Sequence, residues 1–168
     1  PKAIPSALAK RIEEAHARGE EFSIGLLTGA STAAECDGVL AKAKGIKMRT
    51  PYQSDPEFRK QVNAGEAYYF DVHLSHVAQQ STFGFYGDMH MAVIEVAGIL
   101  PDGRLIPSTS IGTSNAWLNN ADKIILEVNS RQSLLLEGMH DIYDDIGVPP
   151  NRKPILITTP GERIGDPY

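Results

Sequence analysis

A chain of 168 residues with 42% hydrophobic and 22% charged side chains can bury a real core and has the composition of a globular domain. Its net charge of -5, with Lys and Arg scattered along the chain, excludes the clustered basic face that nucleic-acid binding needs, and no apolar run is long enough to span a bilayer. The single cysteine, Cys36, excludes an internal disulfide framework and suits a reducing, cytoplasmic setting; it reads most simply as a small buried hydrophobe in a helix.

In chain order, residues 6–18 carry Leu8, Ile12 and Ala15 at helical spacing, with Ser6 as N-cap and Gly19 as stop. A buried strand is predicted over 22–28. Thr32 and Glu35 have capping-box spacing, which predicts a helix over 32–44 stopped by Gly45. A short strand over 46–50 follows. In "SDPEFRKQVNAG" Ser54 is the expected N-cap, with Glu57 reaching back, Pro56 in the first turn and Gly65 as terminator. A strand over 67–71 and a helix over 73–80 come next. "HMAVIEVAGILPDGRLIPSTS" reads as a hairpin around a Pro-Asp-Gly turn. A short helix over 115–122, a strand over 123–129, a surface loop over 147–154 and a strand over 154–159 complete the chain. Strands alternating with helices predict an α/β layered domain with a largely parallel sheet edged by the antiparallel hairpin. The start on Pro1 and the turn-like end "GERIGDPY" are expected of a segment of a longer polypeptide.

Two loops invite a ligand. "LLTGASTAAE" brings Thr28, Gly29, Ser31 and Thr32 together between a strand and a helix. It lacks both the dinucleotide and the phosphate-loop glycine patterns, and Glu35 would oppose a pyrophosphate. One carboxylate or a polarised carbonyl suits it better. "RTPYQSDPE" is a second strand-to-helix loop, and Ser54 there can face Ser31 across a crevice beyond the strand ends. In both loops the simpler alternative is helix capping. His73 and His76, one turn apart near Asp71, with Asp88 and His90 downstream, raise a metal pair, but no motif fixes a third ligand and no metal is expected. His140 stands beside a solvated charge run. Glu95 and Glu127 sit inside apolar strands, where pairing within the protein accounts for them. No nucleophile-elbow spacing is present.

These stretches, "PKAIPSALAKRIEEAHARGE", "LLTGAST", "NAGEAYYFDVHLSHVAQQ", "YGDMHMAVIEV", "DGRLIPSTSIG", "ADKIILEVN", "LEGMHDIY" and "RIGDPY", together resemble the amino-terminal part of the acetyl-CoA hydrolase/transferase family. This is the class I CoA-transferase family acting on small carboxylates, of the succinyl-CoA:acetate or propionyl-CoA:succinate type. The resemblance covers the whole chain in order. It implies a NagB/RpiA/CoA-transferase-like α/β fold, with residues 1–168 as the amino-terminal domain of a two-domain enzyme. It implies CoA transfer through a glutamyl-CoA thioester, with coenzyme A as substrate and no resident cofactor. The nucleophilic glutamate belongs to the carboxyl-terminal half, so no catalytic residue is expected within this chain and none is carried onto Glu95 or Glu127. The family's "TGAS" loop maps onto Thr28, Gly29, Ala30 and Ser31, with Gly29 and Ser31 expected at the small-carboxylate pocket. The next loop maps onto Ser54, where relatives can carry threonine; the missing methyl bears on acyl-chain preference. Implied partners are small carboxylates, acyl-CoA, the carboxyl-terminal domain and further copies of the enzyme, in the cytoplasm or, in a eukaryote, the mitochondrion. The alternatives are an acetyl-CoA hydrolase of the same family, a non-catalytic carboxylate-binding module, and a lobe whose "MAVIEVAGIL" hairpin serves mainly as an interface.

Overall fold

The computed structural model describes residues 2–29, 34–52, 55–140, 147 and 150–154. The chain divides into two compact units, residues 1–80 and 81–168. Each has its own three-stranded sheet, and the α/β architecture expected of the sequence is what forms.

The first unit opens with α1 (Ala3–Ala17), which buries Pro5, Ala9, Ile12 and Ala15. It starts earlier than the capping pattern predicts. Ser6 lies inside the first turns and its hydroxyl donates to the Lys2 carbonyl at 2.9 Å, so it is not the N-cap. Pro5 explains the shift, because the first turn of a helix has no use for its missing N–H. Gly19, at φ 77, ends the helix in the left-handed region and donates its N–H to the His16 carbonyl at 2.9 Å.

β1 (Ile24–Thr28), β2 (Ile46–Pro51) and the two-residue β3 (Tyr68–Tyr69) form a parallel sheet with β2 in the centre. Helical crossovers make parallel pairing possible. The first crossover departs from the predicted continuous helix. It is a π-helical turn (Ala34–Gly38) followed by α2 (Val39–Lys42), and Asp37 within that turn is buried. A wide turn of this kind rotates side chains off the regular 3.6-residue register. The residue it carries inward meets a buried arginine, and that ion pair has overridden helical periodicity. The left-handed residue after α2 is Lys44, at φ 54, and not the predicted stop Gly45. Gly45 is required for a different reason: a Cβ there would run into Ile12 Cδ1 of α1.

The second crossover, α3 (Pro56–Asn63), is capped by Asp55 and not by Ser54. Asp55 Oδ1 accepts from the N–H groups of Glu57 and Phe58, both at 2.9 Å. Glu57 accepts from Lys60 Nζ at 2.8 Å instead of reaching back, which corrects the capping-box reading. Ile12, Leu40, Ala41, Ile46 and Phe58 form the core between these helices and the sheet. Phe58 and Ile12 are fully buried, each worth about 1.5–3 kcal/mol relative to exposure. α4 (Leu74–Thr82) carries the chain across the division between the units.

In the second unit, β4 (Met91–Ile99) and β5 (Leu105–Pro107) form the predicted antiparallel hairpin, and β6 (Lys123–Val128) pairs parallel to β4 on its other edge. α5 (Ser114–Asn120) supplies the crossover, and Trp117 and Leu118 cover Ala92, Ile94, Val96 and Leu105. A 3-10 turn (Leu134–Leu136), not anticipated from the sequence, places Leu134 against Gly98. Of the strand expected over 154–159, all but Pro154 lies outside the described residues. Among the described residues, no helix is long and apolar enough to cross a membrane.

Candidate functional site

The candidate site is built at the carboxyl ends of β1 and β2. Register brings Thr28 opposite Pro51, so the loops after the two strands leave the same edge of the first sheet side by side. In an α/β sheet this is where ligands collect. Of the expected binding residues, Gly29 directly follows β1. Ser31 and Ser54, with Thr32, lie outside the described residues. A Cβ built on Gly29 meets none of the described residues within 4 Å, so the face of that residue is open.

At the carboxyl ends of β1 and β2 sits a polar hub that sequence reading missed. The Arg49 side chain is 0% exposed and that of Asp37 2%. Arg49 Nε and Nη2 both donate to Asp37 Oδ2, at 3.1 and 3.0 Å. Arg49 Nη1 donates to the Thr50 carbonyl at 2.8 Å, and Nη2 to Thr28 Oγ1 at 2.7 Å. Thr28 Oγ1 in turn donates to the Gly29 carbonyl at 2.6 Å. The hydroxyl of Thr28 is thus committed to the protein and unavailable to a ligand. Asp55 lies nearby: its Oδ2 stands 3.0 Å from where a Cβ of Gly38 would be, and its charge works against ionisation of Asp37. The sequence signal for Arg49 was weak: "IKMRT" carries two charged residues, of which Lys47 is exposed and Arg49 buried, and only burial demands a partner.

Burial pushes the Asp37 carboxyl up, and Arg49 alongside draws it back. The same burial, reinforced by the Asp37 charge, pushes the Cys36 thiol up to about 11. Cys36 is half-buried in the π-helical turn and stays a thiol at neutral pH, so it is no nucleophile. Glu35 is held below the usual carboxylate range by a backbone N–H and by Lys2 Nζ at 3.3 Å.

The other sequence candidates serve elsewhere. Among the described residues no group of three or more His, Cys, Asp or Glu could hold a metal ion. His73 Nδ1 lies 2.8 Å from Ser75 Oγ, and its ring centroid is 5.4 Å from that of His76. His140 Nε2 donates to the Ser108 carbonyl at 2.6 Å. Glu95 and Glu127 are register partners across β4 and β6, hence neighbours on one face. Glu95 Oε1 accepts from Asn129 Nδ2 at 3.0 Å, which holds its carboxyl below the usual range, as pairing within the protein requires. A cavity of about 240 Å³, lined by Phe22, Lys44, Ile46 and Gln61, lies at the opposite, amino-terminal end of β1 and β2, away from both loops.

Parallel strands whose carboxyl ends lie side by side over a buried ion pair define a layered α/β domain. Residues 1–150 match the acetyl-CoA hydrolase/transferase N-terminal domain, and the chain belongs to that family. It is 45% identical over its whole length to a succinyl-CoA:acetate CoA-transferase of Clostridium kluyveri, covering 30% of that protein. It is 40% identical to a propanoyl-CoA:succinate CoA transferase of Escherichia coli, covering 34%, and 37% identical to an acetyl-CoA hydrolase of Yarrowia lipolytica, covering 33%. The chain thus spans about a third of the length of these relatives.

Proposed function

We propose that this chain is the amino-terminal domain of an enzyme, an acyl-CoA:carboxylate CoA-transferase, which moves CoA between small carboxylates such as acetate, succinate or propionate. The observation that carries the reading is the family match over residues 1–150, joined by two relatives whose names are CoA-transferases. The catalytic glutamate is supplied by the carboxyl-terminal part of the polypeptide. Its carboxylate oxygen adds to the thioester carbonyl and the CoA thiolate leaves, giving a mixed anhydride. The thiolate then attacks the glutamyl carbonyl and releases the donor's carboxylate, leaving a glutamyl-CoA thioester. An acceptor carboxylate runs the same two steps in reverse. In this scheme the loop at Gly29, Ser31 and Ser54 receives the substrate carboxylate or thioester oxygen beside the reaction centre and performs no covalent step. Coenzyme A enters as substrate, and the enzyme works in the cytoplasm, or the mitochondrion of a eukaryote, as an assembly of several copies.

The test uses the full-length protein with acetyl-CoA, with and without succinate. Succinate-dependent formation of succinyl-CoA and acetate, with a hydroxylamine-cleavable CoA adduct on a glutamate, is expected. A second reading is favoured by the acetyl-CoA hydrolase relative: water in place of the acceptor. CoA release that is indifferent to added carboxylate supports that reading and counts against transfer.

A further inference from the structure

Gly29 stands where the ligand-receiving loop leaves β1, yet its own carbonyl is turned into the protein. Thr28 Oγ1 donates to that oxygen at 2.6 Å, and Arg49 Nη2 approaches it at 3.4 Å. Because Arg49 Nη2 also donates to Thr28 Oγ1, the hydroxyl accepts from the guanidinium and spends its single proton on the carbonyl. Nothing in this relay is loose. The guanidinium is held by two bonds to Asp37 and one to the Thr50 carbonyl, and the side chain is wholly buried.

A peptide carbonyl aimed at a carboxylate sets two partial negative charges against each other. The Gly29 oxygen is engaged by Thr28 and a buried cation, while the position a Cβ of Gly29 would take is open. We infer that Arg49, acting through the Thr28 hydroxyl, is a positioning residue that holds the Gly29 carbonyl away from the substrate carboxylate. This rests on the reading that the loop at Gly29 receives that carboxylate.

Substituting Arg49 itself strands a buried charge, so the test is made at Thr28. Thr28→Val keeps the branched shape and removes only the hydroxyl, whereas Thr28→Ser retains it. In the full-length protein, CoA transfer from acetyl-CoA is followed as succinate is varied (or CoA release as acetyl-CoA is varied, if hydrolysis is the activity). Thr28→Val raises KM by about tenfold with kcat within about threefold, the loss expected when the hydroxyl's hydrogen bond no longer restrains the carbonyl. Thr28→Ser restores KM to within about twofold of the wild type. A merely structural role would lower the folded fraction, and with it kcat, while leaving KM in place. A Thr28→Val enzyme with wild-type KM, or a Thr28→Ser enzyme as impaired as Thr28→Val, overturns the inference alone. A wild-type protein that neither transfers nor releases CoA overturns the functional reading and this inference with it.

Discussion

Replacing Arg49 with methionine removes both donors to Asp37 Oδ2 and the donors to Thr28 Oγ1 and the Thr50 carbonyl. Asp37 Oδ1 already has no partner among the described residues, so the variant holds a buried carboxylate with neither oxygen satisfied by Arg49. Removing one partner of a buried ion pair costs about 3–5 kcal/mol. Methionine fills much of the vacated volume and adds no polar group, so the middle of that range, about 4 kcal/mol, is the expected loss. It amounts to roughly a thousandfold in the folded-to-unfolded ratio. Urea unfolding at neutral pH measures it, provided the slope m is unchanged. The pH dependence has a definite sign. With Arg49 gone, the main opposition to burial is lost and the folded-state carboxyl of Asp37 rises further above its unfolded value. A raised carboxyl contributes stability that is present below the unfolded pKa and lost as pH climbs through the folded one. The gap between variant and wild type is therefore narrow near pH 4 and wide at pH 7. Adding Asp37→Leu removes the stranded charge, so the double variant returns to within about 2 kcal/mol of wild type. A gap that stays constant from pH 4 to pH 7, or single-variant losses that simply add, would refute the reasoning.

Gly29→Ala adds a methyl into open space, so the unfolding midpoint stays within about 0.5 kcal/mol of wild type while KM for the small carboxylate rises several-fold; an unchanged KM removes Gly29 from the binding surface. The Cys36 thiol, pushed up to about 11, reacts with a thiol reagent at pH 7.5 far more slowly in the native protein than in denaturant. Equal rates would place it outside the buried turn. Asp55→Ala removes the acceptor of two N–H groups at the start of α3 and lowers stability by about 1 kcal/mol, measured by denaturant titration. Asp55→Ser recovers most of that loss.

Much of the fold was legible because apolar runs bounded by turn residues announce strands. "FSIGLLT", "IKMRT", "MAVIEVAGIL" and "KIILEVN" became β1, β2, β4 and β6, and the Pro-Asp-Gly turn placed the hairpin. Capping was less legible. "SDP" offers two good caps in succession, and Pro56 decides between them: proline favours the first helical position, which makes its predecessor, Asp55, the cap. The π-helical turn was not readable, since a tertiary partner, Arg49, dictates the inward rotation of Asp37 and periodicity carries no trace of it. The ion pair at the ends of β1 and β2 was overlooked because Arg49 and Asp37 belong to different elements. Ser31 and Ser54 lie outside the described residues.

The near-contact of Gly38 and Asp55, with 3.0 Å between a hypothetical Cβ and a carboxylate oxygen, bears on how this scaffold can diversify. The π-helical turn and the start of α3 come close there, so the two crossovers abut near the ends of β1 and β2. Any relative that replaces glycine at position 38 must therefore shift the Asp55 carboxylate, and with it the cap of α3. A laboratory library on this scaffold would do well to leave positions 37, 38, 49 and 55 alone.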